Sequence, residues 1–371
     1  MRTRRTAQLA LGLGVALTLA ACGQNAAAPT TDASGEVAEG APRVGVILPE
    51  TESSARWEGF DRPLLEAAMQ EAGLDADIQN AQGDEQTFST LADGFIAGGV
   101  DVLVIAAITS EAGAAVAAKA KAQGIPTIDY DRLSLGGTSE YYVSFDNEGV
   151  GALQGQGLAD ALADQPGAQV IEIEGAPTDY NATLFYNGQQ SVVGPLYEDG
   201  TLSLVQMQRI EDWDNQIGGN TFEQILTSNG GQVDGVLAAN DGLAGAIITI
   251  LAKYGLNGTV PVTGQDATAE GLQAILRGDQ YMTVYKPIDQ EAQATAELAA
   301  ALAAGDTAAA DAIATDSVED PEGNRQVKSV LLTPQLITRD TVKTVIDEGA
   351  VPAEEVCVAD LTAVCTELGI N

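Results

Sequence analysis

The sequence predicts an α/β fold of two open, mostly parallel sheets in series, each covered by helices. Three observations predict it. Short apolar runs alternate with segments of helical spacing from Arg43 onward, and that alternation restarts once, after Phe145. The inner strand candidates are also apolar almost throughout, as in Val100-Asp101-Val102-Leu103-Val104-Ile105, the pattern of parallel strands buried on both faces.

The elements follow in order. Residues 43–48 form the first strand. Residues 57–72 place Phe60, Leu64, Leu65, Ala68 and Met69 three or four apart, so they form a helix, and Gly73 ends it. Residues 76–80 are a strand, 87–97 a helix closed by Gly98 and Gly99, 100–105 a strand, and 110–123 an Ala-rich helix stopped by Gly124. Strands at 125–130 and 141–145 complete the first unit. The second unit reads helix 148–162, strand 169–173, helix 182–192, a strand near 204–205 and helix 215–227. Strand 233–238, helix 242–254, strand 260–264, helix 269–276 and strand 282–285 follow. A further Ala-rich helix spans 287–303, and 306–326 reads as a surface excursion rich in Asp, Ala and Gly. A late strand at 327–332, a helix at 339–348 and a tail at 350–371 end the chain.

The N-terminal residues address the chain. Arg2, Arg4 and Arg5 precede an apolar run from Leu9 to Ala21 that ends in Leu19-Ala20-Ala21-Cys22-Gly23. The run is too short to span a bilayer and is followed by polar sequence, so it reads as a targeting segment. Small residues before a cysteine look like a bacterial lipoprotein box, with Cys22 carrying lipid; the alternative is an ordinary signal peptide with an incidental cysteine. Residues 22–42 read as a flexible tether. Cys357 and Cys365 form an even pair in an exported tail, read as a disulfide, with two free buried thiols as the alternative.

Composition excludes several classes. Seventeen Lys and Arg stand against 53 Asp and Glu, a formal net charge of −36, which argues against a nucleic-acid partner. The absence of histidine removes His-based triads and His-rich zinc sites. No EF-hand-like loop is present, so neither a calcium site nor any cofactor is expected.

Polar residues gather just after strands. Asp131 and Arg132 follow 125–130, Asp146 and Asn147 follow 141–145, Asp179 and Asn181 follow 169–173, Asn240 and Asp241 follow 233–238, and Gln265 and Asp266 follow 260–263. In open α/β sheets, ligands bind in the crevice beyond the carboxyl ends of strands. Carboxylates, amides and an arginine there suit a neutral ligand with many hydroxyls, each of which donates and accepts.

These stretches carry a family resemblance. The chain resembles periplasmic-type sugar-binding proteins of the ribose/galactose class, most closely the D-xylose-binding proteins of bacterial ABC importers. The resemblance runs from Arg43 to about Cys357. It rests on Arg56-Trp57, Tyr130-Asp131-Arg132, Ser144-Phe145-Asp146-Asn147-Glu148, Asp179-Tyr180-Asn181-Ala182-Thr183-Leu184-Phe185, Ala239-Asn240-Asp241, Gly264-Gln265-Asp266-Ala267 and Met282-Thr283-Val284-Tyr285-Lys286-Pro287.

The resemblance implies a periplasmic binding protein-like type I fold, two parallel-sheet lobes joined by three crossing segments near 146–149, 284–287 and 326–330. The lobes would then be 43–146 with 287–326, and 147–286 with 327–371. It implies sugar contacts from Arg56, Trp57, Asp131, Arg132, Asp179, Asn181, Trp213, Asn240, Asp266 and Lys286. It implies a monomeric, non-enzymatic receptor for a monosaccharide, xylose first and glucose or another aldose next. Its partners would be an ABC permease with its ATPase, and the lipid would hold it at the outer face of the cytoplasmic membrane. Plainer readings stand beside these: Asp131 as a turn cap, Asp179 and Asn181 as helix caps, Trp57 and Trp213 as core residues. The rival functions are a receptor signalling to a sensor kinase, a sugar-processing enzyme using paired carboxylates, and a repressor of the same core fold, which the export signal and acidic charge oppose.

Overall fold

The computed structural model describes residues 40–51 and 56–370. The expected signal segment 1–21, the expected lipid site Cys22, most of the expected tether 22–42, and residues 52–55 of the first loop lie outside the described residues. In chain order the strands are β1 (Arg43–Leu48), β2 (Asp75–Asn80), β3 (Val102–Ile105), β4 (Thr127–Tyr130), β5 (Tyr141–Phe145), β6 (Ala168–Glu174), β7 (Leu202–Arg209), β8 (Gly235–Ala238), β9 (Met282–Tyr285), β10 (Asp316–Asp320), β11 (Arg325–Leu332) and β12 (Gln335–Thr338).

The first sheet has the order β10-β11-β5-β4-β3-β1-β2. Its strands pair in parallel from β2 through β11, and β10 returns antiparallel along β11. Every residue of β3, β4 and β5 is buried, because helices cover both faces. One face packs Val44, Val46 and Leu48 against Leu65, Met69 and the helix Ile288–Ala303; the other packs Ile47, Leu103 and Ile105 against Phe88 and Phe95.

The second lobe carries a parallel sheet ordered β7-β6-β8 and an antiparallel pair, β9 with β12. The strand expected at 260–264 is reduced to one bridge, Val262 against Val236. Pro261 has no N–H to donate to a ladder, which limits regular pairing there.

Three expectations for the C-terminal region need correction. The excursion at 306–326 contains the helix Thr307–Ile313 and strand β10, whose Asp316, Ser317 and Glu319 face solvent along a sheet edge while Asp320 is buried. The third crossing does not fall at 326–330. Strand β11 pairs with β5 from Lys328↔Tyr141 to Leu332↔Phe145, so the chain leaves the first sheet after Leu332 and enters the second lobe at β12. The expected helix at 339–348 is the shorter Val342–Asp347. In the tail, Val351, Val356, Leu361, Cys365 and Ile370 are buried in one cluster with Leu272, Leu276 and Tyr285, and Cys357 and Cys365 are disulfide-bonded, as read.

Candidate functional site

The structure brings all ten expected side chains to one cavity. Arg56, Trp57, Asp131 and Arg132 come from the first lobe, Asp179, Asn181, Trp213, Asn240 and Asp266 from the second, and Lys286 from the crossing after β9. Phe185 and Gln265 complete the lining, and the cavity volume is about 40 Å³, well below that of an open ligand site, so the two walls stand close together. Arg56, Arg132 and Lys286 balance Asp131, Asp179 and Asp266, so the lining carries three charges of each sign.

The first wall is a charge cluster. Residues Trp57–Asp61 wind as a π-helical turn before the helix Arg62–Glu71, and such turns concentrate at functional sites. The wide turn sets Arg56 beside Asp61, five residues on. The buried Arg56 guanidinium donates to Asp61 from Nε at 2.9 Å and Nη2 at 2.7 Å, to Asp131 Oδ2 from Nη1 at 2.7 Å, and to Glu291 Oε2 from Nη2 at 3.0 Å. Tyr130 Oη donates to Asp61 Oδ1 at 2.7 Å. Burial works against the carboxylate of Asp131, but Arg56, Lys286 and Arg132 outweigh it and hold its pKa below the usual range. Burial and the neighbouring Asp131 push the pKa of Glu291 well above that range, against the pull of Arg56. Asp61 and Glu291 are members of this site that sequence reading missed.

Trp57 lies against these charges. Its Nε1 donates to Glu50 Oε1 at 2.7 Å, and the Arg56 and Arg132 guanidinium carbons sit 4.6 and 5.1 Å from its ring centre. Asp131 itself has φ of 60°, a region that costs a non-glycine residue energy unless its surroundings enforce it. Here they do: its carbonyl accepts from Tyr142 Oη, Ser144 Oγ and Asn181 Nδ2 at 2.9, 2.9 and 2.8 Å.

The second wall is built on helix N-termini. Asp179 caps the helix Tyr180–Glu198 by accepting from Asn181 N, and Asn240 caps the helix Asp241–Tyr254 by accepting from Leu243 N. Asp179 therefore both caps a helix and lines the cavity, whereas Asn181 lines the cavity from inside the helix and is not its cap. Asp179 Oδ2 also accepts from Trp213 Nε1 at 3.1 Å. Trp213 and Asp212 have φ of 57° and 52°, and the Trp213 ring passes so close to Gly175 that a Cβ there would lie 2.1 Å from it. Phe185 meets Trp213 edge-on at 6.4 Å. Asp266, at φ 96°, pairs with Lys286 Nζ at 2.9 Å. Both tryptophans are cavity and core residues at once.

The walls touch each other. Arg132 Nε lies 3.4 Å from Asp179 Oδ2, and Asn181 Nδ2 donates to the Asp131 carbonyl. At the first crossing, Asp146 caps the helix Asn147–Ala161, while Asn147 Nδ2 donates to Asn181 Oδ1 at 3.0 Å. Asp146 thus works as a cap, and Asn147 ties the start of this helix to Asn181.

Comparison with known proteins places this architecture. A family model described as a periplasmic binding protein domain matches residues 44–307. The D-xylose-binding periplasmic protein of Escherichia coli (strain K12) is 36% identical over 295 residues, covering 79% of this chain and 86% of that protein. The multiple sugar-binding periplasmic receptor ChvE of Rhizobium radiobacter is 33% identical, covering 82% and 89%. Among solved structures, an ABC transporter solute-binding protein from Clostridium phytofermentans with bound β-D-glucose superposes with a TM-score of 0.77 at 28% identity, covering 85% of this chain and 99% of that one. A carbohydrate transporter solute-binding protein from Chloroflexus aurantiacus in complex with D-glucose gives 0.75 at 30%, covering 84% and 97%. The chain belongs to the periplasmic binding protein family, among its ABC-transporter sugar-binding members. It is an extracytoplasmic monosaccharide receptor that works with an ABC permease, and it is not an enzyme.

Proposed function

We propose that this receptor takes D-xylose first, with glucose or another aldose next, in the cavity between its lobes, and hands it to the permease. The observation that carries the reading is the convergence of residues from both lobes on one small, charge-balanced cavity with two tryptophan faces. Asp131, Asp179 and Asp266 accept from sugar hydroxyls, Arg56, Arg132, Lys286, Asn181 and Asn240 donate to them, and Trp57 and Trp213 cover ring C–H faces. Asn240 spends its Oδ1 on its own helix, which leaves its Nδ2 for the ligand. The identity with D-xylose-binding proteins supports a pentose as first choice. Ligand release requires the lobes to part, breaking the contact of Arg132 with Asp179 and that of Asn181 with Asp131. The division into lobes 43–146 with 287–332, and 147–286 with 333–371, is the hinge arrangement this motion uses. The lipid on Cys22 tethers the receptor, as a monomer, to the outer face of the cytoplasmic membrane.

Isothermal calorimetry of the folded chain against a pentose and hexose panel tests the reading. One-to-one binding of xylose at micromolar Kd or tighter is expected. Tighter binding of glucose would move the specificity while keeping the mechanism, and no heat with any sugar would overturn the assignment. Labelling with a radioactive lipid precursor in a Cys22→Ser variant tests the anchor, and the label should be lost.

A further inference from the structure

Behind the second wall runs a chain of buried amides. The helices Asn147–Ala161 and Tyr180–Glu198 meet backbone to backbone: a Cβ on Gly151 would lie 1.9 Å from the Phe185 carbonyl oxygen, and one on Gly188 would lie 2.0 Å from that of Glu148. This approach lets Gln189 Nε2 donate to Gln154 Oε1 at 2.9 Å. Gln154 Nε2 in turn donates to the carbonyls of Ala239 at 2.9 Å and Gly264 at 3.2 Å, which immediately precede Asn240 and Gln265-Asp266. The two carbonyls fix which way each amide points. Gln154 must turn its nitrogen toward them, so Gln189 must turn its nitrogen toward Gln154, and Gln189 Oε1 faces away.

That outward oxygen and both oxygens of the equally buried Glu174 accept from no donor among the described residues, and the Glu174 carboxyl lies within hydrogen-bond reach of the Gln189 amide. A protonated Glu174 can donate to Gln189 Oε1, whereas its carboxylate cannot. Burial and the neighbouring Glu172 push Glu174 up to about 8, so it is protonated at neutral pH. The other charged or titratable groups facing this cluster are Arg209 from β7, and Tyr186 and Tyr197 from the helix above; Arg209 favours the carboxylate but is outweighed.

We propose that Gln154 and Gln189 are positioning residues for the sugar cavity, an amide relay that clamps the loops carrying Asn240 and Asp266, and that the proton on Glu174 completes the relay. The relay deepens the sugar-binding reading and rests on it only for its effect on affinity. Loss of the proton leaves two facing acceptors, loosens the relay and frees the two loops.

Hydrogen exchange on the full chain tests this without ligand, each variant being compared with wild type at the same pH. Gln189→Met should speed exchange about tenfold in 239–243 and 264–268 at pH 6, the loss of roughly one hydrogen bond, and leave β3 unchanged. Glu174→Gln keeps a donor at every pH. It should match wild type at pH 6 and be the slower-exchanging protein at pH 9. Equal exchange of Gln189→Met and wild type, or of Glu174→Gln and wild type at pH 9, would overturn the relay. Should Gln189→Met fail to fold, the Glu174→Gln comparison decides alone. Xylose titration of the same samples should show wild type losing severalfold in affinity between pH 6 and 9, and Glu174→Gln losing less. Wild type that binds no sugar at either pH would defeat the functional reading and leave the exchange result to judge the relay.

Discussion

The first lobe presents Arg56 inside a ring of Asp61, Asp131 and Glu291, whereas the second presents Asp179 and Asn240 as helix caps and holds its loops through amides. The difference decides how each wall responds to damage. In the charge ring every member is buried and leans on the others, so removing one leaves several uncompensated. In the capped wall each polar group owes its position to a different helix or loop, so losses stay local.

The largest expected effect breaks the first wall. Arg56→Ala strands Asp61, Asp131 and Glu291 in the core, and should cost about 3–5 kcal/mol in denaturant unfolding and abolish measurable sugar binding. An Arg56→Ala protein that binds normally would erase the contrast between the walls. Next, Asn181→Ala should weaken binding about tenfold to a hundredfold by calorimetry while costing less than about 2 kcal/mol of stability, since one cross-lobe donor is lost. An unfolding cost equal to that of Arg56→Ala would show that the second wall is as interlocked as the first. Gly175→Ala drives a methyl into the Trp213 ring and should lower affinity about tenfold through that residue alone.

The pH dependence sharpens the comparison further. Burial pushes Asp129 and Asp241 up to about 7 and Glu174 up to about 8. Each holds a proton in the folded protein at pH values where the unfolded chain has lost it. Their contribution is complete below the ordinary carboxylate range, about 4, and is lost as pH rises toward 7–8, at up to about 1.4 kcal/mol per pH unit for each extra proton held. Thermal unfolding midpoints should therefore fall between pH 5 and 8, and Asp241→Asn should flatten part of that slope. A midpoint constant or rising over this range would contradict the assignment. The smallest effect belongs to the tail: the paired Cys357→Ser and Cys365→Ser change should cost about 2 kcal/mol or less, because the bridge closes a short loop, and should leave sugar affinity unchanged.

Much of the cavity was legible because α/β chemistry concentrates after strand ends. Asp131, Asp179, Asn240 and Asp266 declare themselves by that position. Gln265 stands among the strand-end polar residues beside Asp266, whereas Phe185 lies five residues into the helix after Asp179-Tyr180 and carries no polar group to mark it. Asp61 and Glu291 were not legible. Both lie on helices where an acidic residue ordinarily faces solvent, and Glu291 is 235 residues from the arginine it accepts from. Strand β10 was hidden for a related reason: an edge strand exposes most of its side chains, and Asp316, Ser317 and Glu319 look like loop. The third crossing was misplaced because the residues of β11 read equally well as the start of either lobe until β5 claims them.

The chain has only two tryptophans, Trp57 and Trp213, and both line the cavity, one from each lobe. The receptor's tryptophan emission therefore originates at this cavity. Both indoles donate to a carboxylate, Trp57 to Glu50 and Trp213 to Asp179, but only Trp57 also lies beneath two guanidinium groups, so the two sit in different electrostatic surroundings. A shift in emission colour or intensity on adding solute would report occupancy without any attached dye, and replacing either indole by phenylalanine would assign the signal to one side of the cleft.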